Sequence, residues 1–227
     1  MINLARYAIS VFVLLPAVLC QPTAALDAVE LRIVAEVEAG SAAALSFLEE
    51  AVNINSGTMN VEGVRAVGAV FAREFAAAGF TTRWVDGAPF GRGGHLVAER
   101  GSRGPRVLLI GHLDTVFARD SEFQRFERID ERYAAGPGVT DMKGGNVVIL
   151  QAARALAAAG VDELQLRVVL TGDEEARGEP LDLANAALLE AGRWADYALG
   201  FEDGDSDPRT AVTARRSSSR WRLTVTG

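Results

Sequence analysis

Arg106-Val107-Leu108-Leu109-Ile110-Gly111-His112-Leu113-Asp114-Thr115 is the stretch on which the fold turns. Its first residues are almost continuously apolar, the pattern of a strand buried on both faces of a sheet. A polar tail carrying His112 and Asp114 follows at once. Residues 164–170 repeat the pattern and run into Thr171-Gly172-Asp173-Glu174-Glu175. Between the two lies an Ala-rich helical stretch, 144–159, closed by Gly160; residues 181–191 read as a further helix closed by Gly192, and 197–201 as a strand with Glu202, Asp203 and Asp205 at its end. Strands alternating with helices predict an α/β fold, a mostly parallel sheet flanked by helices. Chemistry in such sheets gathers outside the carboxyl ends of the strands, and every acidic cluster here sits at one.

Upstream, residues 28–37 and 41–52 carry helical spacing, with Asp27 and Ser41 as N-caps and Gly40 separating them. Residues 53–60 read as a loop. Val64, Val67, Val70, Phe71 and Phe75 then form the apolar stripe of an amphipathic helix over 61–78, ended by Gly79. Residues 80–85 and 95–99 read as strands around the turn Gly91-Arg92-Gly93-Gly94, and His95 is an ordinary strand-start histidine.

Residues 1–25 have one early charge, Arg6, an apolar run over 7–19, and a small-residue close at Thr23-Ala24-Ala25. That is the pattern of a secretory signal peptide, and it predicts export to the periplasm or beyond. The rival readings are a buried N-terminal helix or a lipid anchor on Cys20, the latter opposed by the bulk of Leu19. No stretch reaches the roughly 20 apolar residues of a membrane span. The 227 residues include 23 Lys+Arg against 30 Asp+Glu, a net charge of −7, which argues against a nucleic-acid partner. A hydrophobic content of 49% is that of a packed chain rather than a disordered one. Cys20 is the only cysteine, and His95 and His112 are the only histidines. Disulfide frameworks, thiolate zinc sites, cysteine nucleophiles and three-histidine metal cages are therefore excluded.

The residues with chemical potential are His112 and Asp114 after one strand, Asp141 before a helix, Glu174 and Glu175 after the next strand, and Glu202 after the last. Singly, loop aspartates are usually caps or turn residues, and a glutamate pair is usually a solvated face. Brought to one sheet edge, these carboxylates would repel one another, and a divalent cation is the usual compensation. Zinc accepts imidazole nitrogen and carboxylate oxygen and makes water nucleophilic near neutral pH. No Gly-x-Ser-x-Gly elbow and no Walker or dinucleotide pattern is present.

Three stretches, Gly111-His112-Leu113-Asp114-Thr115-Val116, Gly136-Pro137-Gly138-Val139-Thr140-Asp141-Met142-Lys143-Gly144-Gly145 and Thr171-Gly172-Asp173-Glu174-Glu175, occur in this order. Together they resemble the signatures of the co-catalytic zinc peptidase family, which includes glutamate carboxypeptidase, acetylornithine deacetylase, succinyl-diaminopimelate desuccinylase and aminoacylase. The resemblance is nearest to glutamate carboxypeptidase. It implies two zinc ions, with His112 and Glu202 as ligands of the first, Asp141 bridging, and Glu175 on the second. It also implies Asp114 as the carboxylate that orients His112, and Glu174 as the general base that takes a proton from metal-bound water, leaving a hydroxide to attack an amide carbonyl. The expected substrate is a small peptide or an N-acyl amino acid, and carboxypeptidase and deacylase remain open. In the family a further histidine for the second zinc comes from a later portion of the chain, after an inserted α+β lid or dimerisation domain. The expectation is that residues 26–216 form the N-terminal part of the catalytic domain. Residues 217–227, where Trp221, Leu223 and Val225 alternate with Arg222, Thr224 and Thr226, are expected to open the lid, on which any homodimer would depend. The rival reading is a catalytically inactive chain that binds at most one metal.

Overall fold

The computed structural model describes residues 25–204, 210–214 and 223–226. The signal peptide expected up to residue 25 lies, its last residue apart, outside the described residues, as do Arg215, Arg216, Arg220, Trp221 and Arg222. Of the strand expected over 217–227, residues 223–226 are described; they are exposed and pair with no strand among the described residues.

The elements in chain order are α1 (Ala28–Val52), α2 (Val61–Ala77), β1 (Thr81–Asp86), β2 (Gly94–Arg100), β3 (Arg106–His112), β4 (Glu127–Arg128), β5 (Ala134–Ala135), α3 (Gly144–Ala158), β6 (Gln165–Thr171), α4 (Leu181–Trp194) and β7 (Tyr197–Gly200). The main sheet has the order β1-β2-β6-β3-β7, and β4 and β5 form a separate small hairpin. β3 pairs in parallel with both β6 and β7, whereas β2 runs against β1 and β6. Only β2 therefore opposes the common direction, and the sheet is mixed but mostly parallel.

Alternation along the strands builds a core on each face. Leu96, Ala98, Leu109, Val168 and Leu170 face α1, α2 and α3, while Val97, Leu108 and Val169 face Ala191 and Leu188 of α4. That double burial is why β3 and β6 read as continuous apolar runs. On the larger side Phe71 and Phe75 are fully buried, and Phe47 meets Phe71 edge to face with ring centroids 5.0 Å apart. Phe71→Ala is expected to cost about 3–5 kcal/mol of stability by leaving a cavity. A downward shift of the urea unfolding midpoint at unchanged slope would show it.

Two helix boundaries differ from those expected. Residues 28–52 form one helix, with Asp27 at its head in a reciprocal capping box with Glu30. Gly40 does not break it. The end of the Gln151 side chain from α3 lies over it, 1.8 Å from where a Cβ would stand, and donates to Val37 O at 3.4 Å. Ser41 is no cap either, because its hydroxyl donates back to Val37 O at 2.9 Å. Likewise α4 passes through Gly192 to Trp194.

The parallel register fixes where chemistry gathers. His112 stands opposite Thr171, and Ile110 opposite Gly200. The residues that follow β3, β6 and β7 consequently leave the sheet at one edge.

Candidate metal centre

His112, the last residue of β3, is buried, with its ring fixed from both sides. Nδ1 lies 2.9 Å from the Asp114 carbonyl oxygen and 3.4 Å from its carboxylate. Nε2 lies 2.9 Å from Asp141 Oδ1 and 3.2 Å from Glu202 Oε1. Among the described residues, His112, Asp141 and Glu202 form the cluster whose donor atoms all lie within 4.8 Å of one another. Donors around a tetrahedral zinc, with bonds of ~2.0–2.1 Å, stand ~3.3 Å apart. The separations to His112 nearly match that shell, and one nitrogen with carboxylate oxygens is a donor set zinc accepts. The residues fit the ion.

Asp141 sits in the turn ahead of α3, its peptide bond to Met142 is cis, and its side chain is 58% exposed. The residues after it fasten that turn. Met142 is buried against Gly111, and Asn146 donates to His112 O at 2.6 Å. Lys143 is fully buried, and its ammonium donates to Ala51 O at 3.1 Å and Ile54 O at 2.9 Å, at the end of α1. A cation at that end complements the helix dipole, although burial pulls the Lys143 pKa down to about 7.

Asp114 does more than orient His112. It is wholly buried, and its carboxylate accepts hydrogen bonds from the Glu174 amide at 3.0 Å, the Glu175 amide at 3.1 Å and the Thr58 hydroxyl at 2.7 Å. Asp114 thus ties the imidazole, chiefly through its backbone carbonyl, to the Glu174 and Glu175 backbone, which its carboxylate holds. The loop after α1 closes over it: Ser56 Oγ donates to Leu113 O at 2.8 Å, and Thr115 N to Ser56 O at 2.9 Å. Thr58→Val keeps the shape but removes a donor from a buried carboxylate. It is expected to cost about 1–3 kcal/mol, measurable by chemical denaturation.

The charges are arranged as an ion site requires. Burial works to lower the His112 pKa, but the Asp114 and Glu202 carboxylates prevail and push it up to about 11. For Asp114 burial is outweighed by His112, Thr58 and the Glu174 amide, which hold it below the usual carboxylate range. Burial and the facing charge of Asp141 push Glu175 up to about 7. Glu175 is not one of the clustered donors but feels Asp141 directly, as one carboxylate near another does before a cation separates them.

Asp141, Glu174 and Glu202 line one cleft of about 340 Å³ with Thr140 and Asp203. The Glu174 side chain is 44% exposed. The structure therefore assembles His112, Asp141 and Glu202 tightly, holds Asp114 behind them, and sets Glu174 and Glu175 alongside. Sequence reasoning passed over Thr58, Lys143 and Asn146, of which only Lys143, a lone charge at the head of an apolar helix, left a trace in the pattern.

Residues 108–213 match the family described as peptidase family M20/M25/M40. The chain is 34% identical over 163 residues to carboxypeptidase G2 of a Pseudomonas species, a match covering 70% of this chain and 38% of that protein. It is 31% identical over 159 residues to a succinyl-diaminopimelate desuccinylase of Maricaulis maris, covering 66% of this chain and 39% of that one. It spans less than half the length of these relatives. Among solved structures, human carnosine dipeptidase 1 superposes with a TM-score of 0.62 at 20% identity, over 75% of this chain and 40% of that one. The metallo-carboxypeptidase Sso-CP2 of Sulfolobus solfataricus does so with a TM-score of 0.58 at 19% identity, over 71% and 37%. These structural likenesses establish the common fold.

Proposed function

We propose that this chain, whose residues 108–213 match peptidase family M20/M25/M40, serves zinc-dependent hydrolysis of an amide bond, with release of a C-terminal amino acid. The observation that carries the proposal is the group His112, Asp141 and Glu202, which opens on the cleft that Glu174 lines. These three would hold a zinc ion, with Asp141 and Glu175 offered to a second. Bound there, zinc supplies Lewis-acid polarisation of the substrate carbonyl and lowers the pKa of water.

The chain's own residues supply positioning and proton transfer. Asp114 fixes the imidazole from the Nδ1 side, its backbone carbonyl at 2.9 Å and its carboxylate at 3.4 Å, a role backbone carbonyls and carboxylates both play behind a metal-binding histidine. It also presents Glu174 through the hydrogen bond that its carboxylate accepts from the Glu174 backbone amide. The Glu174 carboxylate takes a proton from the attacking water and delivers it to the leaving nitrogen. The same residues serve removal of an acyl group from an N-acyl amino acid, and similarity to desuccinylases at 31% identity supports that second reading. Arg6, the apolar run over 7–19 and the close at Thr23-Ala24-Ala25 support export. Among the described residues no helix is long and apolar enough to cross a membrane.

The test is to load the full chain with zinc and offer an N-acyl glutamate, a dipeptide and an N-succinyl amino acid. Cleavage of the dipeptide that stops with a chelator supports the first reading. Turnover of the N-acyl compounds without the dipeptide supports the second, and turnover of none of them contradicts both.

A further inference from the structure

The segment 172–179, which carries Glu174 and Glu175, has neither helix nor strand after Thr171, yet its backbone is held by hydrogen bonds at 172 and 174–179. Asp114 takes the amides of Glu174 and Glu175, and the buried Asp173 takes the Gly178 amide at 2.9 Å. Further anchors come from the connection between β1 and β2 and from the start of β2. His95 Nδ1 accepts from the Gly172 amide at 3.1 Å while Nε2 lies 2.9 Å from Ala184 O, and Phe90 O accepts from the Glu179 amide at 3.1 Å. Arg92 supplies the fork: Nε donates to Ala176 O at 2.7 Å and Nη2 to Arg177 O at 2.9 Å. The fit is tight, because a Cβ on Gly178 would lie 2.4 Å from Phe90 O.

We propose that Arg92 is a positioning residue that holds the 172–179 segment so that Glu174 faces the metal cleft. The inference rests on the reading of Glu174 as proton carrier. Arg92 touches neither the donor cluster nor the cleft; it acts on the two carbonyls immediately after Glu175. A planar guanidinium serves both at once, and a lysine ammonium cannot reproduce the fork. A displacement of about 1 Å at a catalytic group costs on the order of 100-fold in rate.

The test is Arg92→Lys in the full, zinc-loaded chain, read by amide hydrogen exchange and by steady-state kinetics. Exchange at residues 174–179 is expected to rise on the order of tenfold, the loss of about one net hydrogen bond, with β3 and β6 unchanged. Turnover is expected to fall ~10- to 100-fold with KM within about twofold. Gly178→Ala, which pushes the segment off the same surface, is expected to give the same local loosening and decides alone if Arg92→Lys does not fold. Unchanged exchange at 174–179, loosening spread evenly over the sheet in both variants, or local loosening with turnover intact overturns the proposal. A chain that hydrolyses nothing contradicts the proposed function and leaves the exchange result to decide the positioning role.

Discussion

Asp141→Ala is expected to weaken zinc binding by ~100-fold or more and leave the fold intact. Zinc held by four protein ligands is bound by about 10–16 kcal/mol, or ~3 kcal/mol for each donor. Every 1.4 kcal/mol is tenfold in affinity. Asp141 is suited to the test because its side chain is 58% exposed, so truncation opens no cavity. His112→Ala should lose at least as much affinity, but it also strips partners from the buried Asp114, so its effect mixes binding with stability. Competition titration against a chelator of known affinity, alongside thermal melts of the metal-free proteins, separates the two. Zinc retained at the original affinity by Asp141→Ala would remove that carboxylate from the site.

Glu174→Ala is the complementary case, with zinc affinity unchanged and turnover ~10²- to 10⁴-fold lower, the range a general base commands. The geometry gives the reason for the split. Glu174 lines the cleft but lies outside the donor cluster, and its backbone amide, the part that engages Asp114, survives the substitution. Glu174→Gln should behave alike, since an amide cannot carry the proton. Equal hydrolysis by Glu174→Ala and the unaltered chain would show that another group moves the proton.

Much of this was legible before any coordinates. β3 and β6 announce themselves because both faces are buried, and their parallel register then brings His112, Glu174 and Glu202 to one edge. What the sequence could not convey is what a residue meets across space. Gly40 carries the same local signal whether it ends a helix or lies inside one beneath a side chain such as Gln151. Arg92 and His95 read as turn and strand residues because their partners are backbone carbonyls and amides, which leave no mark in composition. Asp114 stood out from its place two residues after His112, but no pattern shows that its backbone carbonyl meets the imidazole, and the hold of its carboxylate on the Glu174 and Glu175 amides depends on the alignment of β3 with β6. Thr58 reaches Asp114 from a loop whose path no local pattern specifies.

Diffraction from crystals of the zinc-loaded chain, recorded on both sides of the zinc absorption edge, decides whether zinc binds between His112, Asp141 and Glu202. An anomalous peak is expected ~2.0–2.2 Å from His112 Nε2 and from a carboxylate oxygen of Asp141 and of Glu202. Zinc bound only elsewhere on the chain, with these three side chains still paired to one another, would contradict a site between them.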